Sequence, residues 1–189
     1  MRLAVGESCC RGTQLLAFRA AAVETWGEIG WSEACDLLDP DTRETLLGRP
    51  IRPIAWVPES AMITLADAVF VGPAAKSEVA YREFVRNQVN CGFGRVRRFF
   101  LHLAPPEVVL DRAPALWRHD HTHGELVVDV RGRSAQVRLV DHAHATNEVA
   151  SMTAAEIFRY VLSLTRARDV TSTYERLAER TLAVHLEWR

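Results

Sequence analysis

In HDHTHGELVVDVRGRSAQVRLVDHAH, residues 119–144, histidines stand at every second position at both ends: His119, His121 and His123, then His142 and His144. Imidazole is a common ligand for zinc and other divalent metals, and the one side chain whose ordinary pKa lies near neutrality. Alternate spacing is what a strand uses to aim successive side chains to one face. Two readings follow. A hairpin gathers the imidazoles around an ion, or the histidines are the polar side of an ordinary hairpin.

The residues between them predict that hairpin. Leu126, Val128 and Val130 alternate with Glu125, Val127 and Asp129, and Ala135, Val137 and Leu139 alternate with Gln136 and Arg138. Both apolar sets share one face only if paired residue numbers sum to an odd value. A two-residue loop at Gly132-Arg133 satisfies this, pairing Val130 with Ala135, Val128 with Val137 and Leu126 with Leu139. Continued outward, the ladder sets His123 opposite His142 and His121 opposite His144, with His119 one step beyond. Opposed Cβ atoms lie about 4.5–5.5 Å apart, close enough for two imidazoles to share an ion. The same ladder puts the histidines with Glu125, Asp129, Gln136 and Arg138 on the solvated face, where no ligand is needed to explain them. Zinc or another divalent metal at His119, His121, His123, His142 and His144 and a plain hydrated edge both remain open.

The elements around the hairpin read as helices. Thr13 to Trp26 carries an apolar stripe closed by Gly27 and Gly30, Trp31 to Leu38 forms a second short helix, and Asp39 caps a third that stops at Gly48. RPIRPIAWVPES, with three prolines, is a connector. Ser60 to Phe70, Ser77 to Val89 and Val96 to Leu103 follow, the last two separated by Gly92 and Gly94, and Pro105-Pro106 opens a helix toward Leu116. Beyond the hairpin, Thr153 and Glu156 have capping-box spacing for a helix over 153–166 with Ile157, Val161 and Leu164 inward. A second hairpin over 169–188 ends the chain. The expectation is an α+β fold: a mainly helical N-terminal half, 12–117, packed on a small, about four-stranded antiparallel sheet made by two C-terminal hairpins, all one domain over 1–189.

Composition narrows the partners. The chain has 189 residues, 48% apolar and 25% charged, with a formal charge of −1, so no basic stripe or reader motif points to nucleic acid. No apolar run approaches the ~20 residues that cross a bilayer. MRLAVGESCCRGTQ lacks the pattern of a secretion signal, which sets the expected compartment as the cytoplasm. Cys9, Cys10, Cys35 and Cys91 form no CxxC pair and read as reduced structural thiols. NCGFGRVRRFF has no Walker or GxGxxG pattern, so its glycines and arginines read as a helix-to-helix turn with a basic face. His102, in an apolar stretch, reads as half-buried. No nucleophile elbow is present.

RGTQLLAFRAAAVETWGEIGW, LLDPDTRETLLGRPIRPIAWVPES, LWRHDHTHGELVV and the final LAVHLEW together resemble a myxobacterial paralogous family of uncharacterised proteins, with Gly12, Leu15, Leu16, Trp56, Pro58 and Trp188 at its recurrent positions. That family is similar in outline to the helix-plus-sheet fold of vinyl-reductase-type domains, small TRAPP-complex subunits and haem-nitric-oxide-binding-like proteins. The resemblance implies a sensory or scaffolding domain. An apolar helix layer over a sheet with no assembled catalytic constellation makes the expectation a non-enzymatic one that takes a small apolar ligand or a protein partner, and a helical face could serve a homodimer. No haem-ligating histidine maps onto this sequence, so haem is not expected. A metal-binding protein, extending to a metal-dependent hydrolase, is the competing expectation.

Overall fold

A computed structural model describes residues 7–189, and of residues 95–97 the backbone alone. The first six residues of the N-terminal reading and the side chains of Arg95 and Arg97 therefore lie outside the described residues. In chain order the elements are β1 (Cys9–Arg11), α1 (Gly12–Asp36), α2 (Pro40–Leu47), β2 (Trp56–Pro58), α3 (Glu59–Val71), α4 (Glu78–Leu103), α5 (Pro106–Asp120), β3 (Glu125–Arg131), β4 (Ser134–Val140), a 3₁₀ turn (Ala143–Ala145), α6 (Glu148–Ser163), β5 (Thr171–Ala178) and β6 (Thr181–Glu187). This is the α+β arrangement expected, with a four-stranded antiparallel sheet in the order β3-β4-β6-β5.

The hairpin closes as parity requires. Val130 pairs with Ala135, Val128 with Val137 and Leu126 with Leu139, around Gly132 at φ +59°. Leu126, Val137, Leu139, Leu182, Val184 and Leu186 carry the inner face, and α6 lays Ala154, Ala155 and Leu162 against it. A second apolar cluster joins α1, α3 and α4 through Phe18, Leu65, Tyr81 and Phe84. Helix α6 belongs to both, because its Met152 packs into the helical cluster.

Three local expectations change. The proline-rich connector contains β2, which pairs antiparallel with β1, Cys10 opposite Val57. Helix α6 starts at Asn147, whose side chain accepts from the Ala150 amide; Thr153 and Glu156 are interior positions, not its capping box. Thr153 meets the Tyr81 hydroxyl at 2.7 Å, and Glu156 takes two bonds from Arg159, at 3.0 and 2.6 Å. Gly27 (φ +71°) and Gly94 (φ +62°) are breaks inside α1 and α4, as their sequence positions suggest. His102, on the last turn of α4, is exposed and not half-buried.

Candidate functional site

The histidines do not follow the ladder outward. Pairing between β3 and β4 ends at Glu125 and Val140. On the incoming side, His119 and Asp120 are still helical, in the last turn of α5. The next residues pair with β1 on the edge that β2 leaves free: His121 bridges Cys10, the Thr122 amide donates to the Cys9 carbonyl (2.9 Å), and the Cys9 amide donates to Thr122 Oγ1 (2.8 Å). Gly124, at φ +79°, then turns the chain into β3. On the outgoing side, Asp141 at φ +52° reverses the backbone, and the His142 amide donates to the Arg180 carbonyl. A non-glycine residue at positive φ is uncommon, and Asp is among the residue types that accept it.

These turns carry two histidines inward, off the polar face where the ladder would have left them. The His142 residue is 1% exposed, and the side chain of His121 is 6% exposed. Both meet Glu59, the first residue of α3 and itself 4% exposed. His121 Nδ1 lies 2.6 Å from Glu59 Oε1, and His142 Nε2 lies 3.1 Å from Oε1 and 3.0 Å from Oε2. The Ser8 hydroxyl donates to Oε2 at 2.7 Å, while the Glu59 amide donates to the Ser8 carbonyl. A carboxylate in the first helical turn also faces the positive end of the α3 dipole. Burial alone would raise the Glu59 pKa; hydrogen bonds from His121 and His142 outweigh it and hold the carboxyl below its usual range.

The outer ring atoms fix the tautomers. His142 Nδ1 accepts from the His144 amide (3.2 Å), so the Nε2 of a neutral ring carries the proton toward Glu59. The Gln14 side-chain amide donates to His121 Nε2 (3.1 Å), which leaves the proton on Nδ1, again toward Glu59. Burial lowers the His142 pKa, with Glu59 opposing. Burial and the neighbouring His142 push His144 down to about 3, a neutral imidazole. Trp117 stacks flat on His121, centroids 3.8 Å apart and planes at 6°, and meets the edge of His142 at 4.6 Å.

Of the five histidines, three converge. His142 and His144 stack at 5.0 Å, and His121 meets His142 at 5.2 Å. His119 points outward, with its side chain 73% exposed and Nδ1 2.8 Å from Asp120. His123 lies on an outer polar groove of about 400 Å³ with Glu7, Ser8, Asp141 and Arg180. Glu59 carries no sequence signal of its own. An acid at a helix start is ordinary, and nothing local distinguishes this one from Glu78 or Glu148.

Beneath Glu59 and the three rings is a small cavity of about 40 Å³, walled by Phe18, Met62, Ile63 and Ile157 and bordered by Gln88 and His144. Gln88 Oε1 and His144 Nδ1 are buried and have no hydrogen-bond partner.

Among solved structures the overall fold has counterparts. One is an Fe(II) unliganded H-NOX protein from K. algicida, at 9% identity and a TM-score of 0.65, covering 95% of this chain and 96% of that one. Another is an oxygen-binding H-NOX domain related to soluble guanylate cyclases, at 11% identity and a TM-score of 0.65, with 95% of each chain covered. A third, described by the words "modulating heme redox potential through protein-induced porphyrin distortion", gives 10% identity and 0.67 over 95% of each chain. The fold is that of the H-NOX domains. Identity this low fixes the H-NOX fold and nothing finer. No family model matches the chain, and no curated protein matches it, so the resemblance to a myxobacterial family gains no sequence support; its haem-nitric-oxide-binding-like outline is the part that agrees. The expectation against haem is overturned. It rested on finding no matching ligand position, whereas structural neighbours over 95% of the chain are described with Fe(II), with oxygen and with a porphyrin. Among the described residues no helix is long and apolar enough to cross a membrane.

Proposed function

We propose that this chain is a ligand-binding sensory or regulatory domain of the cytoplasm, and that its ligand sits beneath the helices in the Gln88–His144 cavity. The observation that carries this reading is the pair of unpartnered buried polar atoms, Gln88 Oε1 and His144 Nδ1, on residues that line one cavity. Folded proteins leave few such atoms unsatisfied, and a ligand or an ordered water completes them. Apolar and hydrogen-bonding side chains both line the cavity, which suits a small molecule with a polar end.

Haem is the cofactor class that the H-NOX neighbours bring to this proposal. Its donors are present in kind, since the neutral His144 ring has a free nitrogen. The cavity measures about 40 Å³, so a haem taken up there requires the surrounding helices to part. Native mass spectrometry of freshly purified chain, followed by haemin titration read in the Soret region, tests the proposal. A bound small molecule or a one-to-one haemin complex supports it, the latter showing that the helices part. A chain of bare mass, without a Soret shift and without thermal stabilisation by any small ligand screened, overturns it.

A further inference from the structure

We propose that Glu59, His121 and His142 form a site for one divalent first-row transition metal ion, with open coordination positions toward the cavity beneath them. Glu59 offers an oxygen, His121 its Nδ1 and His142 its Nε2, and these atoms all lie within 4.8 Å of one another. The three side chains come from different parts of the fold, α3, the end of α5 and the turn after β4, and all are buried. Two imidazoles and one carboxylate suit zinc, iron or cobalt better than the all-oxygen shells of calcium or magnesium. Three protein ligands leave room for a fourth group, the pattern of sites that engage an exogenous molecule and not of closed structural ones. Gln14, Gln88 and His144 line the same cavity. The exposed His119 and the groove residue His123 take no part.

The hydrogen bonds now filling the site set a specific requirement. Each ring points its N–H at Glu59, so an ion there must replace two ring protons at once. A neutral histidine that ligates through one nitrogen carries its proton on the other. Loading therefore moves the His121 proton from Nδ1 to Nε2, where the Gln14 amide must turn to present its oxygen. It also moves the His142 proton from Nε2 to Nδ1, where the His144 amide must let go. Both rings exchange tautomers, and no net proton leaves. Surface binding at His119 or His123 would leave the two buried rings untouched.

The test uses untagged chain stripped with a chelator and titrated with Zn(II), with Co(II) as a coloured probe. Imidazole nitrogens are followed in ¹⁵N-histidine-labelled protein. The expected result is one ion per chain, with the His121 and His142 nitrogen resonances exchanging character and the His144 amide shifting. Glu59→Gln should weaken binding by more than the ~10–100-fold typical of losing an outer-shell contact. The double variant H119A/H123A should bind as the parent does. If Glu59→Gln fails to fold, the nitrogen spectra of the parent decide alone. No stoichiometric ion, or an ion bound while both buried rings keep their tautomers, overturns the site. The site stands on these three residues and not on the sensory reading, so a chain that takes metal and no further ligand keeps this inference and loses that one.

Discussion

Gly124 shows how one residue positions the buried rings. Its φ of +79° is a left-handed conformation, and a Cβ there would meet His142 Cδ2 at 2.7 Å. Gly132, at φ +59°, has nothing within 4 Å of such a Cβ. Alanine at either position bears the left-handed penalty of about 1–2 kcal/mol, but only at 124 must a buried imidazole also move. Chemical denaturation should therefore show Gly124→Ala less stable than Gly132→Ala, with the His142 ring resonances displaced in the first variant alone; equal losses would mean that the ring is not held against this turn. Asp67 makes a second residue-scale case. Burial raises its pKa, and the bond donated by Asn147 Nδ2 at 2.9 Å only partly offsets this. The nearby phenol of Tyr81 is neutral, burial holding it above its usual range. A carboxyl raised in the folded state binds its proton more tightly there than in the unfolded chain. Its stabilising contribution is complete below the unfolded value and is lost as pH rises through the folded one. Asp67→Asn keeps an oxygen for Asn147 and cannot ionise. Denaturation midpoints from about pH 3 to pH 7 should show the variant gaining on the parent as pH rises, since ordinary carboxylates titrate near 4. A constant difference would count against a burial-strained carboxyl. At this scale the sequence spoke least. The alternate histidines advertised a cluster, but which three would meet depended on Gly124 and Asp141, whose turns carry no mark separable from ordinary loop residues.

Among the elements, α6 is the strut between helices and sheet, and Glu156 fastens it to α4. The carboxylate is 2% exposed and takes two bonds from Arg159, with Arg82 and Arg86 each 3.5 Å away. Removing one partner of a fully buried ion pair costs about 3–5 kcal/mol. The three arginine side chains keep 23%, 28% and 38% of their exposure and can rehydrate, so Glu156→Gln should cost less, about 1–3 kcal/mol. Equilibrium unfolding in urea measures it, and an unchanged midpoint would show the cluster to be idle. Tyr81 ties the same two helices, since Thr153 donates to the Val149 carbonyl and so accepts from the Tyr81 hydroxyl. Tyr81→Phe should cost about 1 kcal/mol in the same assay. Element types were largely legible, because hydrophobic period and glycine placement are local signals. The start of α6 was not: Asn147 and Thr153 both look like caps, and only the packing of Thr153 against Tyr81 shows which is interior. Strand β2 was hidden too, since three residues among prolines carry no period.

For the molecule as a whole, parity across Gly132 makes the register of the β3–β4 hairpin legible, because burying one face leaves few alternatives. The meeting of Glu59 with His121 and His142 was beyond its reach, for it comes from a pairing between distant segments. That pairing hangs on β1, a strand of three residues with β2 on one edge and residues 121–122 on the other. During synthesis β1 leaves the ribosome before α5 and acquires its second neighbour only after α5 has been made. Until then one of its edges stays open, as edges in slow, non-local topologies do. The buried carboxylate must wait longer still, without its second imidazole until the chain has been translated past β4. A nascent chain stalled before that point keeps the Glu59 carboxylate hydrated, and the site closes only when His142 arrives.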